Sequence, residues 1–278
     1  ELRVGDLPRL AAVAPLAAAQ AARFAAVTRR VAVFPLGVSF LSGVARLVAL
    51  AEVAPLALAR LAVRRLVGMG AMGSVYAALF IEDGHTVFGV DGWEEHCNEI
   101  NSNGLRVEGA SGSRTLRNIT VSENINDSPK SDLYIIATKA SGVEKAAELI
   151  STVADKDSTI ITIQNGLGAG DKIAQYLPAG QIMLGVAEAF GATMKSPGHV
   201  QHTSMKKIRL GAMNSGLDQR LDEVANVWRT GGFEVETYQD IAQLIWEKLL
   251  CNVALSGPCT VFDCNVAELR SNSEWWQI

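Results

Sequence analysis

Three glycines and one aspartate set the first chemical constraint on this chain. Residues 68–73 read Gly-Met-Gly-Ala-Met-Gly, and Asp91 stands eighteen positions past Gly73, at the end of Thr-Val-Phe-Gly-Val. Each residue type has a physical task. Gly68 lets the chain turn tightly out of a strand. Gly70 lacks the Cβ that would hold a pyrophosphate off the backbone, and Gly73 lets the next helix pack close to the sheet. With Ala71 and Met72, the loop points free N–H groups and the positive end of a helix dipole at phosphate oxygens. An acid at the tip of the second strand can accept hydrogen bonds from ribose hydroxyls. An ordinary glycine-rich turn accounts for the glycines but not for their spacing to Asp91. Together the residues describe a dinucleotide site.

A second constellation lies in Trp246-Glu247-Lys248-Leu249-Leu250-Cys251-Asn252. Lys248 and Asn252 are four apart, so on a helix both leave from one face. A lysine in a cleft can protonate a developing alkoxide while hydride reaches the carbonyl carbon, and an asparagine can orient the substrate. A solvated lysine on a polar helix face is the commoner case for such a pair, and these residues alone do not exclude it. Lys139 and Asn165 each follow a strand-like run, Tyr134–Thr138 and Ile160–Gln164, where open α/β sheets place ligands. Their ordinary alternatives are a surface lysine and a helix N-cap. His202 reads more simply as a strand residue. His199 and His202 have no cysteine or third histidine near them in sequence, so no metal is expected.

These side chains need elements to hold them. A strand over Ala62–Val67 enters the glycine turn, a helix covers Ala71–Asp83, and Thr86–Val90 is the second strand. A short helix (Trp93–Asn101) follows, then strands or a hairpin over Leu105–Glu108 and Thr115–Val121. Asp132–Thr138 and Ser158–Ile163 are short β-branched runs of the kind buried on both faces, with a helix, Ser141–Val153, between them. Past a helix near Gly170–Tyr176 come strands around Ile182–Val186, Val200–Thr203 and Ile208–Leu210. A helix over Leu217–Thr230, a strand over Phe233–Thr237 and a long helix over Ile241–Leu255 complete the series. Such alternation implies an α/β protein with a parallel, doubly wound sheet of Rossmann type. One conflict stands out: a strand buried on both faces should be apolar, yet Arg64 and Arg65 precede Leu66. Either that strand is very short, or a join between foreign and native sequence falls there.

The 278 residues suffice for one large or two modest domains. A net charge of −4 suggests neither a nucleic-acid nor a membrane-surface partner. The 4 cysteines follow neither metal nor disulfide spacing and read as reduced thiols of a cytoplasmic protein. The first 61 residues differ from the rest: rich in Ala, Leu, Val and Arg, without Lys, Asn or Trp. Their longest uncharged run, Val31–Ala45, is broken by Pro35 and falls short of the ~20 apolar residues that span a bilayer. An Arg-rich, acid-poor composition fits a transit peptide, but serine is scarce. Residues 1–61 are read as an extension of separate origin, with no chemistry assigned.

Taken in order, Gly-Met-Gly-Ala-Met-Gly, Thr-Lys-Ala (138–140), Gln-Asn-Gly-Leu-Gly (164–168), Pro-Gly-His-Val-Gln-His (197–202) and Trp-Glu-Lys-Leu-Leu-Cys-Asn (246–252) resemble the ketopantoate reductases. The resemblance runs from about residue 62 to the C-terminus. It implies a Rossmann domain over 62–238, the start of a helical substrate or dimerisation domain over 239–278, and a cleft between them. It further implies Lys248 as the general acid, Asn165 and Lys139 by the nicotinamide end, Asn252 on the substrate, and room for a homodimer.

The chain departs from the family pattern in three ways. Ser256 stands where members often carry a second asparagine; it still hydrogen-bonds, with shorter reach, so the substrate is ketopantoate or a relative. The tip of the second strand reads Asp91-Gly92-Trp93-Glu94-Glu95 where many members place a base for the 2′-phosphate of NADP, which favours NAD(H) and leaves NADP(H) as the secondary cofactor. The family's helical domain continues further than Ile278, so a C-terminally truncated chain is expected, and Glu268 comes too early to be the family's glutamate beside the lysine. The expected activity is hydride transfer to a 2-keto acid with Lys248 as the acid. A catalytically incomplete nucleotide-binding module and a 3-hydroxyacid dehydrogenase of the same superfamily are the alternatives.

Overall fold

The computed structural model describes residues 63–214 and 218–277. The segment read as 1–61, Ala62 and the expected helix start at Leu217 lie outside the described residues.

The main sheet has eight strands: β1 (Val63–Val67), β2 (Thr86–Val90), β5 (Thr120–Ser122), β6 (Leu133–Ile136), β7 (Thr159–Thr162), β8 (Ile182–Glu188), β11 (Lys207–Ala212) and β12 (Glu234–Tyr238). Their order is β12-β11-β8-β7-β6-β1-β2-β5. All residues of Leu-Tyr-Ile-Ile in β6 and Thr-Ile-Ile-Thr in β7 are buried, as expected of central parallel strands with both faces covered. Val67 pairs with Val90 on one side and Ile136 on the other. The strand order therefore reverses at β1, and the crevice at that switch point opens beyond the carboxyl ends.

The sheet is the expected parallel, doubly wound one, with two additions. First, β11 runs antiparallel to β8, and β12 is parallel to β11. The chain returns from β8 through a hairpin, β9 (Gly191–Ser196) and β10 (His199–Ser204), not through a helical crossover, so β11 comes back reversed. Second, a four-stranded sheet of order β4-β3-β10-β9 lies beside the first, with β3 at Leu105–Gly109 and β4 at Arg114–Leu116. The run read as one strand over Thr115–Val121 is split at Arg117-Asn118. β4 pairs antiparallel with β3, and β5 joins β2 in the main sheet.

The helix α1 (Ala71–Glu82) packs on β2 and also on β3, β9 and β10. Covered by both sheets, it buries every residue from Gly73 to Ile81, which is why it lacks a polar face. Its Tyr76 and Phe80 meet Trp228 of the helix Asp218–Thr230 at ring-centroid distances of 5.1 and 5.0 Å. Phe233 and Phe190 complete this aromatic cluster, with Phe190 5.4 Å from Tyr76.

The strand β1 has five residues, so it is not short, and both its arginines are buried. Arg65 Nη2 donates to the carbonyls of Ser128 (2.7 Å) and Pro129 (2.5 Å), and its guanidinium lies 5.4 Å from the Tyr134 ring centre. Arg64 Nη2 lies 3.1 Å from His85 Nδ1. Nε and Nη1 of both arginines have no partner, so β1 enters the sheet carrying a desolvation cost. Among the described residues, no helix is long and apolar enough to cross a membrane.

Candidate active site

The glycine turn is built as its residue types require. Gly68 has φ +98°, a left-handed conformation, and a Cβ there would meet Thr138 N at 2.6 Å. A Cβ on Gly73 would stand 1.9 Å from the Gly68 carbonyl oxygen, so strand end and helix start touch through backbone. A Cβ on Gly70 would meet nothing within 4 Å. No side chain caps α1 at its N-terminus, and no acid lies in its first turn. The open space at Gly70, together with uncapped N–H groups, fits the pyrophosphate of a dinucleotide. Asp91 closes the loop from β2: its Oδ2 accepts from Met69 N–H at 2.6 Å and its Oδ1 from Trp93 N–H at 2.9 Å. The carboxylate is thereby fixed at the strand tip.

The cofactor loop has a second anchor. His96, buried on α2 (Glu94–Asn103), donates from Nε2 to the Met69 carbonyl at 2.7 Å and accepts at Nδ1 from Gly198 N–H at 2.9 Å. Ser74 Oγ donates to the same carbonyl at 2.6 Å. Burial pushes the His96 pKa below the usual histidine value, and protonation would set an Nδ1–H against the Gly198 N–H. Burial also lowers His202, and lowers His85 to about 4. The folded state then binds fewer protons than the unfolded one, so stability is full above the unfolded value of about 6.5 and is lost as pH falls toward the folded values. Urea unfolding at pH 7.5 and 5.5 should show this fall, and His96→Gln should reduce it. An equal pH dependence in the variant would count against the linkage.

On the carboxyl side of the sheet, α6 (Ala242–Val261) carries Lys248 and Asn252 on one face. Both line a cavity of about 480 Å³ whose other walls include Asn165, Glu188, Phe190 and Arg209. Lys248 is half-buried, and its Nζ donates to the Ala187 carbonyl at the end of β8. Burial lowers the amine pKa, while the charge of Glu188 pushes it back up. Asn165 is exposed at the cavity rim. It is not an N-cap, because Gly168, at φ +82°, caps the helix Ala169–Ala174. Gln164 Nε2 donates to the Thr138 carbonyl at 2.8 Å, tying the loops after β6 and β7 together. Contact thus runs from Gly68 through Thr138 to Gln164, whose chain neighbour Asn165 lines the cavity.

Two candidates lie outside that cavity. Lys139 is exposed before the 3-10 turn Ala140–Gly142, and Ser256 is exposed two turns beyond Lys248 on α6. His202 is a buried strand residue, 2.8 Å from Ser111 Oγ at its Nδ1 and stacked on Phe190. Among the described residues, no group of three or more possible metal ligands exists, and all four cysteines are free.

Sequence reasoning missed Glu188 and Arg209, which form an ion pair on the cavity wall. The alternation Lys207-Ile208-Arg209-Leu210 marks both bases as sharing one face of a strand. Their acidic partners come from other strands and leave no local signal. Arg209 Nε is also 3.3 Å from Glu236 Oε2; Lys207 and the Tyr238 hydroxyl hold Glu236 down to about 2.

A model of the ketopantoate reductase PanE/ApbA family matches residues 65–215, and one of its C-terminal region matches 240–278. A 2-dehydropantoate 2-reductase of Lactococcus lactis subsp. lactis (strain IL1403) is 28% identical over 203 residues, 73% of this chain and 65% of the relative. One from Halobacterium salinarum is 27% identical over 197 residues, covering 70% and 64%. The chain thus spans about 65% of the length of the curated relatives it matches. Among solved structures, a ternary structure of D-mandelate dehydrogenase with NADH and anilino(oxo)acetate superposes with TM-score 0.72 at 26% identity, over 77% of this chain and 68% of that one. A 2-dehydropantoate 2-reductase from Geobacter metallireducens GS-15 gives TM-score 0.72 at 28% identity, over 77% and 70%.

Proposed function

This chain belongs to the ketopantoate reductase PanE/ApbA family, and from that premise we propose that it is a nicotinamide-dependent reductase of a 2-keto acid, ketopantoate or a relative. The observation that carries the proposal is the cavity shared by Lys248, Asn252 and Asn165, the last joined in the chain to Gln164, which bonds to Thr138 beside the glycine turn. The turn at Gly68–Gly73 would hold the pyrophosphate and Asp91 the adenosine ribose. When bound, the dinucleotide supplies the hydride. Lys248 gives its proton to the ketone oxygen as negative charge develops there. Asn252, one turn along the same helix, orients the substrate, and Asn165 faces it from the loop after β7. A neighbour whose ternary structure contains NADH and anilino(oxo)acetate, which sets a carbonyl beside a carboxylate, supports both cofactor and substrate class. Ketopantoate-dependent oxidation of NADH tests the proposal; oxidation of a 3-hydroxyacid instead would move the chain to the other dehydrogenase class.

NAD(H) is the proposed cofactor. Both Asp91 oxygens are held by backbone N–H groups, so the carboxylate cannot swing away from an incoming 2′-phosphate. Glu94 and Glu95 follow it, with no base between 91 and 95. The expected kcat/KM ratio favours NADH over NADPH by at least roughly tenfold, about 1.4 kcal/mol. An equal preference for NADPH would reverse the assignment.

One observation favours a second reading, a nucleotide-binding module without turnover. No residue of α6 is fully buried, and Trp246, Leu250 and Val253 are more than half exposed. A lysine reached by water is a weaker electrostatic catalyst. Tight NADH binding with no ketopantoate turnover would select this reading.

A further inference from the structure

The proposed reaction needs Lys248 to arrive with its proton, and burial of the amine works against that. We propose that Glu188, which shares the cavity wall with Lys248 beside the carbonyl that tethers the amine, is a positioning residue for Lys248, and that Arg209 clamps Glu188 in that place. The inference deepens the reductase reading and rests on Lys248 being the proton donor.

The geometry comes from the end of β8. Lys248 Nζ donates to the carbonyl of Ala187, the residue before Glu188. The amine is therefore tethered beside the Glu188 backbone. The residue after Glu188, Ala189, has φ +42°, a left-handed conformation uncommon for alanine. Phe190 beyond it is stacked on His202 at 4.9 Å and packed on Tyr76 at 5.4 Å. The strand end is thus held on both sides of Glu188.

The carboxylate is held as well. Arg209 Nη1 pairs with Glu188, while Arg209 Nε faces Glu236 at 3.3 Å. Glu236 is in turn bound by Lys207 at 2.5 Å and by the Tyr238 hydroxyl at 2.7 Å. Lys207 also reaches Glu234 at 3.1 Å. Arg209 is thus gripped from two sides, by Glu188 and by Glu236. The charged and titratable groups lining the cavity with Lys248 are Glu188 from β8, Arg209 from β11, and Glu247 and Cys251 from its own helix. Glu247 accepts from Gln243 Nε2 at 2.7 Å, one turn back on α6. Glu188 is the carboxylate next in the chain to the carbonyl that holds the amine.

The test reads the amine directly, without turnover. The full chain is acetylated with a trace of acetic anhydride across a pH series, and mass spectrometry follows the Lys248 peptide. Glu188→Gln should lower the labelling midpoint by about one pH unit. Glu188→Thr, suited to a strand, is a second charge-removing variant in case the first does not fold. Glu188→Asp keeps the charge and should keep the midpoint above that of either. The alkaline limb of the kcat/KM profile should move to lower pH with the midpoint. Unchanged midpoints in the charge-removing variants, or equal midpoints for Asp and Gln, overturn the proposal. A lowered midpoint in a chain that does not turn over ketopantoate upholds the Glu188–Lys248 coupling and removes the reductase reading.

Discussion

Lys248→Ala is expected to lower kcat/KM for ketopantoate-dependent NADH oxidation by roughly 10²–10⁴-fold, the usual worth of a positioned general acid, while NADH binds as before. The separation follows from the architecture. The proposed phosphate and ribose site lies on β1, α1 and the tip of β2, whereas Lys248 stands on α6 against the end of β8. Loss of the amine removes the proposed proton donor and the hydrogen bond to the Ala187 carbonyl, but touches nothing in the glycine turn. Lys248→Arg should be nearly as damaging. A guanidinium keeps the charge yet does not release a proton in the working pH range, and its planar fork does not fit a site shaped for a point charge. Steady-state rates, together with NADH titration of the tryptophan fluorescence, separate the two effects. Unchanged activity in Lys248→Ala would take Lys248 out of the mechanism. A parallel loss of NADH affinity would mean that α6 supports the cofactor and not the proton transfer.

What could be read from residues alone follows the range of the forces involved. Gly68, Gly73 and Asp91 were legible because each meets a local backbone demand at a fixed spacing. The shared face of Lys248 and Asn252 was legible because helical geometry joins residues four apart, whereas the role expected of them came from the family resemblance. Asn165 was placed by the rule that ligands lie past strand ends. The second sheet was not legible: β3 pairs with β10, far away in the chain, and Val200 and His202 look the same in any half-buried strand. Glu188 and Arg209 were missed for a related reason. Their meeting depends on β11 lying antiparallel beside β8, which in turn depends on the hairpin between them. The buried arginines of β1 ran against the pattern, because their partial partners are tertiary: the carbonyls of Ser128 and Pro129 and the Tyr134 ring for Arg65, and His85 for Arg64.

Gly70→Ala and Gly73→Ala should fail in opposite ways, although the two glycines belong to one motif. At Gly73 the added Cβ would lie 1.9 Å from the Gly68 carbonyl oxygen. That oxygen cannot retreat cheaply. Gly68 N–H is bonded to the Val90 carbonyl at 2.8 Å, and Thr138 N crowds the residue closely enough to stand 2.6 Å from an added Cβ. Either α1 lifts from the sheet or β1 shifts in register, and both disturb a helix buried between two sheets. Overpacking of this kind costs about 3 kcal/mol or more, a large share of a stability of roughly 5–15 kcal/mol. Thermal and urea unfolding should therefore show a large loss for Gly73→Ala. Gly70 has no atom within 4 Å of its would-be Cβ and a φ of −58° that alanine adopts freely. The folded state should tolerate the methyl group, with an unfolding midpoint close to that of the parent. The cost appears only when a pyrophosphate must reach the backbone, and NADH affinity should fall by roughly tenfold or more. Wild-type NADH affinity in Gly70→Ala would show that phosphate does not approach the chain there, and the dinucleotide assignment of the glycine turn would fall with it.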